Sequence, residues 1–438
     1  MQSMRYAVIG SGISGMASAW LLSSKAETYL FEVEDRIGGH SHTVFADTPE
    51  GRFPVDTGFI VFNERNYPNL VGMFDSLGVA TESTDMSFGV SVGPGRLEYE
   101  GSLRGFLAQP GNVLKPSYWS MLSDLIRFYR TGAKAARNGP KDETLDAFIR
   151  RERYSASFVD DHLLPMAAAI WSCPAETMMA FPARSFMAFM DNHQLLNFLE
   201  RPRWRTVTGG SRQYVGKIVD ALGDRVRPST TITAITRKAG KVALTIEGEG
   251  EVIFDAVIMA AHADESLALI KDASEDEERI LGAFDFQPNR VILHSDPALM
   301  PERKAAWASW SYLTREDPGD GLCVTYWMNR LQNIPCKTPL LVTLNPFIDP
   351  DPDLIHGEYH YSHPVMDDKA LAAQRELPRL QGQNGLYFCG AWSGYGFHED
   401  GLASAVAVAR TLGADIPWPS AVQGYDLNRD DFYEKQVS

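Results

Sequence analysis

Two glycine-rich phrases, separated by most of the chain, constrain the fold more than any other feature. Near the N-terminus Tyr6–Gly15 reads YAVIGSGISG, and near the C-terminus Leu386–Ala409 reads LYFCGAWSGYGFHEDGLASAVAVA. The apolar run Tyr6–Ile9 predicts a buried parallel strand. Gly10 permits a tight turn, Gly12 lets backbone approach a pyrophosphate, and Gly15 lets the following helix, Ile13–Ser23, pack on the strand. That helix aims its N-terminal N–H groups and positive dipole end at phosphate. Glu32 closes a second strand, Thr28–Glu32, where a carboxylate accepts from a ribose hydroxyl.

The phrase EDRIGG at Glu34–Gly39 continues this dinucleotide pattern. Arg36 is placed to face the pyrophosphate, and Gly38 and Gly39 give a tight backbone path beside it. A nicotinamide site would not need the second, C-terminal phrase. Together the two ends predict FAD, held by a domain assembled from distant segments. Asp56, Gly58 and Phe59, in VDTGFIVFN, predict a strand and turn beside the flavin.

The 438 residues allow two or three domains. The expected fold class is α/β: a Rossmann-type FAD-binding domain, glutathione-reductase-like, built from residues 1–62, 205–282 and 378–415. A helix-rich and sheet-containing substrate domain is inserted as 63–204 and 283–377, and 416–438 form a tail. The substrate segments are aromatic and Met-rich. Pro288–Pro364 predicts strands that floor the substrate site. Phe181–Phe198 (FPARSFMAFMDNHQLLNF) suits either an acyl-chain tunnel or a helical core, which periodicity cannot separate. The clearest helix is Ser117–Arg137, with Trp119, Leu122, Leu125, Ile126 and Tyr129 at helical spacing. Arg127, Arg130, Lys134 and Arg137 run beside them, so this helix either packs with a solvated basic edge or lies on an anionic bilayer.

A net charge of −15 without a strongly basic block argues against a nucleic-acid partner. Cys173, Cys323, Cys336 and Cys389 are scattered without a CxxC, which offers no metal or disulfide framework and fits a reducing cytoplasm. The apolar N-terminus lacks a basic lead-in and carries the turn glycines, which argues against a signal peptide. No apolar run reaches the ~20 residues of a membrane span. The expected location is the cytoplasm, including the inner face of its membrane.

The ordered set GxGxxG…E…DRIGG, GGSRQYV…LGDRV and LYFCG…DG resembles the flavin-containing amine oxidase and phytoene desaturase superfamily. The resemblance covers the FAD segments, about half the chain. GGHSHTV, VDTGFIVFNERNYPNL, NHQLLNF, WASWSYLT, VTYWMNRLQ, YSHPV and CGAWSGYGFHEDGL resemble one bacterial subgroup. Its members look like partners of cyclopropane-fatty-acid-synthase-type methyltransferases, with desaturation of phospholipid acyl chains on the way to furan fatty acids. The resemblance implies that Gly10, Gly12 and Gly15 take the pyrophosphate turn, Glu32 the adenosine ribose and Arg36 the pyrophosphate. It further implies that Ile232 meets adenine through its backbone, and that Gly390, Gly401 and Leu402 serve the flavin and ribitol end.

The chain departs from the amine-oxidase pattern in three places. Gly390-Ala391-Trp392 replaces Gly-Glu, no lysine stands in the Arg290–His294 strand, and His398 takes the place of a cage tyrosine. Cys389 reads as buried within its strand, so FAD is expected to be non-covalent. Desaturation sends a hydride to flavin and a proton to a base, with the protein supplying a dry slot and alignment. His40, His42 and His398 cluster in the cofactor motifs, and histidine suits general base work. His398 with Glu399 is the expected acid/base pair, His42 the next candidate, and His40 a residue that orients loop or cofactor. The alternatives are an amine oxidase acting on a small amine, a flavin-dependent isomerase, and a lipid-binding accessory protein of a methyltransferase.

Overall fold

A computed structural model describes residues 4–419 except 94, 141, 172–174, 193–194, 197–202 and 315–322. Its N-terminal apolar run forms the strand Arg5–Ile9 at the centre of a five-stranded parallel sheet. The order across the sheet is Val226–Arg227, Glu27–Phe31, Arg5–Ile9, Ala256–Met259 and Leu386–Phe388. Strands from both ends of the chain thus share one sheet. The first helix, Ile13–Leu22, is buried along nearly its whole length. The closing helix, His398–Thr411, crosses it at Gly401, where an added Cβ would stand 2.8 Å from Ser14 Oγ. An antiparallel sheet, Ile232–Lys238, Lys241–Ile246 and Gly250–Phe254, covers one flank.

The second large element is a seven-stranded sheet, ordered Ile355–Pro364, Phe286–His294, Leu341–Leu344, Cys323–Trp327, Trp310–Thr314, Phe88–Val92 and Leu97–Glu100. Five of these strands come from the region expected to floor the substrate site. The other two come from the first half of 63–204, ahead of the helix Pro116–Asn138. Phe88–Val92 and Leu97–Glu100 pair antiparallel, and Phe88–Val92 also pairs in parallel with Trp310–Thr314. The helices Pro116–Asn138, Leu145–Glu152, Ala156–Phe158 and Ala183–Asn192 pack Phe128, Phe148, Phe158 and Phe186 into their own core.

The long helix spans Pro116–Asn138, but its buried face is Tyr118, Met121, Leu125 and Phe128. Trp119 and Ile126, read as part of the apolar stripe, are exposed. The period was legible and the phase was off by one residue for half the stripe, because Tyr118 and Phe128 outcompete Trp119 for the core. In the segment Phe181–Phe198, Phe186 and Met190 are helical core, and Phe189 and Leu195 reach a cavity. His193, Gln194, Asn197 and Phe198 lie outside the described residues, as does Cys173.

One buried carboxylate ties these layers together beside that cavity. Asp56 accepts from Ser211 N (3.0 Å), Ser211 Oγ (2.8 Å), Thr43 Oγ1 (2.5 Å) and Gln332 Nε2 (2.7 Å). Burial pushes its pKa up to about 6 against these donors. The clamp fixes the turn Thr57–Phe59 that follows it.

Candidate active site

Gly10 adopts φ +97°, which only glycine takes without strain. An added Cβ at Gly15 would lie 1.8 Å from Gly10 O, so the helix packs on the turn only with glycine there. At Gly12 an added Cβ meets nothing within 4 Å. The space above Gly12 is open, and Gly12, Ile13 and Ser14 form one end of a cavity of about 470 Å³. Glu32 accepts from Ser11 N at 2.8 Å and Ser11 Oγ at 2.6 Å, which holds the turn and the acid together. Ser11 Oγ accepts from Gly38 N at 3.1 Å, and an added Cβ on Gly39 would crowd Gly12 Cα at 2.9 Å. Arg36 donates to Gly39 O at 2.7 Å and pairs with Glu34 at 3.0 Å. Ile232 begins a strand whose approach is tied to the same place, with Thr230 N donating to Glu32 O at 2.8 Å. Gly10, Gly12, Gly15, Glu32, Arg36, Gly38, Gly39 and Ile232 are therefore gathered around one cradle. An open backbone turn at a helix N-terminus is the shape a pyrophosphate requires.

The cavity runs from this cradle past Gly390, Ala391 and Trp392 into an apolar chamber under the seven-stranded sheet. Trp310 and Tyr326 stack in its wall, ring centroids 6.4 Å apart and 9° from parallel. Among the described residues, no Asp, Glu, Lys or Arg lines it. Its polar side chains are hydroxyls and imidazoles, and burial favours the neutral form of His40, His162, His363 and His398. His398 is pushed down to about 3, His363 to about 4, and His40 well below the usual histidine value.

His40 and His363 face each other with ring centroids 5.5 Å apart, and Tyr361 lies 4.9 Å from His40. His40 Nε2 is buried and has no protein partner. Backbone groups fix the tautomer of His363. Arg290 N donates to Asn345 Oδ1, Asn345 Nδ2 to Asn289 Oδ1, and Asn289 Nδ2 to both Gln287 O and His363 Nδ1. His363 Nδ1 is therefore an acceptor, and its Nε2 carries the proton. His262, stacked on Phe286 at 4.2 Å, completes this imidazole wall. Neither His262 nor His363 was singled out from the sequence. His262 follows the C-terminal end of a parallel strand, where such sheets bind ligands, and that signal was available.

The structure corrects the expected acid/base pair. Glu399 is outside the cavity wall and accepts from Asn69 N (2.9 Å), Asn69 Nδ2 (2.8 Å) and Leu70 N (3.0 Å), capping the helix Pro68–Leu77. Burial pushes its carboxyl up to about 8 despite these donors. His398 does line the cavity, lying flat on Phe59 with centroids 3.9 Å apart. Its Nε2 is shared by Tyr214 Oη at 2.9 Å and Ser41 Oγ at 3.4 Å, so it is engaged as a wall residue. His42 is also outside the wall. Its Nδ1 meets Tyr361 Oη at 2.8 Å, which in turn meets Thr57 Oγ1 at 2.6 Å. The closing helix begins at His398. Gly401 N bonds Phe397 O and Leu402 is fully buried, so the N–H groups at the helix mouth belong to His398 and its neighbour.

Cys389 is buried against Ser18, its thiol pushed up to about 12, and no described cysteine lines the cavity. Among the described residues, no group of three His, Cys, Asp or Glu could hold a metal ion, and no helix is long and apolar enough to cross a membrane.

The open phosphate cradle and the contiguous chamber fit FAD. A cradle of this kind leading into a chamber without charged lining side chains among the described residues fits an FAD-dependent oxidoreductase. Residues 13–345 match the family of flavin-containing amine oxidoreductases, and the chain belongs to that family. Its fold is similar to cyclohexylamine oxidase from Brevibacterium oxydans IH-35A, with TM-score 0.67 and 16% identity over 94% of this chain and 99% of that one. It is also similar to a CLA-producing fatty acid isomerase from P. acnes, with TM-score 0.61 and 17% identity over 93% and 98%. A reduced UDP-galactopyranose mutase matches with TM-score 0.65 and 15% identity over 94% and 97%. At these identities the likeness is one of fold.

Proposed function

We propose that the protein is a desaturase of an unsaturated or methyl-branched acyl chain in a phospholipid. The observation that carries this reading is the absence of any described Asp, Glu, Lys or Arg from the cavity wall. An ammonium buried there would find no counter-charge, and an unpaired buried charge is costly. An acyl chain forfeits no polar contact on entering. Trp310, Tyr326 and Phe88 give it flat apolar surface to lie against.

Bound FAD supplies a hydride acceptor. One C–H bond is lost as hydride and a neighbouring C–H as a proton, leaving a new double bond. A carbon beside an existing double bond is the better donor, because the developing cation is allylic. His40, with its unpartnered Nε2, is the group placed to accept the proton. His363 presents Nε2–H as a donor that orients the polar side of the site. The Thr57–Tyr361–His42 chain runs from the cavity wall to a half-buried histidine and suits onward proton transfer. In this reading a cyclopropane-fatty-acid-synthase-type methyltransferase would supply the methyl branch.

The test is product analysis after single turnover without oxygen. The acyl product should lack two hydrogens, in step with flavin reduced. A second reading, isomerisation, draws on the fatty acid isomerase among the similar structures. It requires a product of unchanged mass with the flavin oxidised at the end. Turnover of a small amine with no change in lipid would refute both.

A further inference from the structure

From the segment 101–138 we infer that the protein carries a docking surface for an anionic lipid bilayer, set beside the cavity. Among the described residues eleven large apolar side chains are exposed, and five of them fall here: Leu103, Leu107, Leu114, Trp119 and Ile126. Leu103 is 91% and Leu114 83% exposed, values no folding constraint requires. Such clustering of exposed apolar groups marks an interaction surface.

The surface is built, not frayed. The turns Gly105–Leu107 and Pro110–Leu114 are held to the start of the long helix. Tyr118 Oη donates to Phe106 O at 2.7 Å, Trp119 Nε1 to Val113 O at 2.8 Å, and Lys115 Nζ to Arg96 O at 2.8 Å. The leucines are thereby presented on a fixed frame.

Charge selects the partner. Segment 101–138 has six basic residues and one acid, Asp124, a net +5 in a chain of −15. Asp124 is already paired with Arg127 at 2.8 Å. Arg104, Arg130 and Lys134 are exposed. Apolar side chains fringed by cations fit a bilayer whose surface is anionic. The bilayer-facing apolar groups are Trp119, Ile126 and the three leucines, while Leu125 and Phe128 belong to the core. The same segment reaches the cavity: Gly101, Phe106, Leu125 and Tyr129 lie in its wall, and Gly101, Phe106 and Tyr129 are partly exposed. Acyl chains would then pass from bilayer to chamber without crossing water. This deepens the acyl-chain reading, yet its test uses no turnover, so the two can fail separately.

The experiment is co-sedimentation of the flavin-loaded protein with vesicles of phosphatidylglycerol and phosphatidylcholine, against phosphatidylcholine alone. The protein should bind the anionic vesicles and bind less as salt is raised. Each cation near an anionic surface contributes roughly a fivefold factor. The variants Arg130→Glu/Lys134→Glu and Leu103→Gln/Leu107→Gln/Leu114→Gln should each lower binding by roughly tenfold or more, with the flavin retained. Equal binding to both vesicle types, no binding, or binding unchanged in both variants would overturn the inference. So would a wild-type dimer in solution that the leucine variant converts to monomer.

Discussion

Asn289 donates its side-chain amide to Nδ1 of His363 at 3.2 Å, across the diagonal of two antiparallel strands. Because Gln287 O also accepts from that amide, the orientation of Asn289 is set, and so is the proton on His363 Nε2. Asn289→Asp would put a carboxylate where the donor was. An opposite charge at this range raises an imidazole pKa by roughly one to three units. His363, held near about 4 by burial, should therefore titrate closer to neutrality in the variant. Proton-detected histidine titration by NMR measures this, and an unchanged value would mean that residue 289 does not face the His363 ring.

Acid should destabilise the fold steeply. His42, His294 and His363 are depressed to about 4, His162 and His398 to about 3, and His40 well below 6.5, mainly by burial. A histidine whose folded pKa is depressed contributes stability above its unfolded pKa of 6.5 and loses it as pH falls towards the folded value. Asp56 at about 6 and Glu399 at about 8 have raised carboxyl pKa values and oppose this, since their folded forms hold protons that unfolding releases. Six histidines outweigh two carboxyls. Unfolding should take up several protons between about pH 6.5 and 4, at about 1.4 kcal/mol per proton per pH unit. The melting temperature should fall by many degrees between pH 7 and about pH 5. A flat profile would show that these imidazoles are hydrated.

Gly12 and Gly15 should behave oppositely on substitution. Gly12→Ala adds a methyl that meets no protein atom, so melting of the apo-protein should be little changed. That methyl enters the space assigned to pyrophosphate, and FAD affinity should fall at least about tenfold through steric exclusion from the cradle. Gly15→Ala drives a methyl into Gly10 O and should cost the fold itself roughly 2 kcal/mol or more by overpacking. Calorimetry and flavin-fluorescence titration separate the two. Equal loss of apo stability in both variants would show that Gly12 is a packing glycine.

The FAD domain was legible because its signals are local. A strand, a glycine turn, a helix, a second strand and Glu32 follow one another within a few tens of residues, and each has its own physical signature. The parallel sheet shows these strands almost where the sequence placed them. The chamber was not legible, because its polar groups meet only through long-range pairing. His363 acquires its role from Asn289, on the neighbouring strand, and Asn289 from Asn345. Glu399 reads as a flavin-end acid from its motif, but tertiary packing commits it to Asn69 and Leu70. The strand pair Phe88–Val92 and Leu97–Glu100 is hard to read because both strands are short and precede a long helical region that dominates the local texture.

The proposed substrate of this chamber is an uncharged apolar chain and not an amine. Anaerobic rapid mixing of the flavin-loaded protein with phospholipids bearing mono-unsaturated or methyl-branched chains tests it most directly. Oxidised flavin absorbance should be lost with these lipids, without added reductant, and retained with putrescine, cyclohexylamine or other simple amines. Rapid bleaching by an amine, with none by any of the lipids, would contradict it.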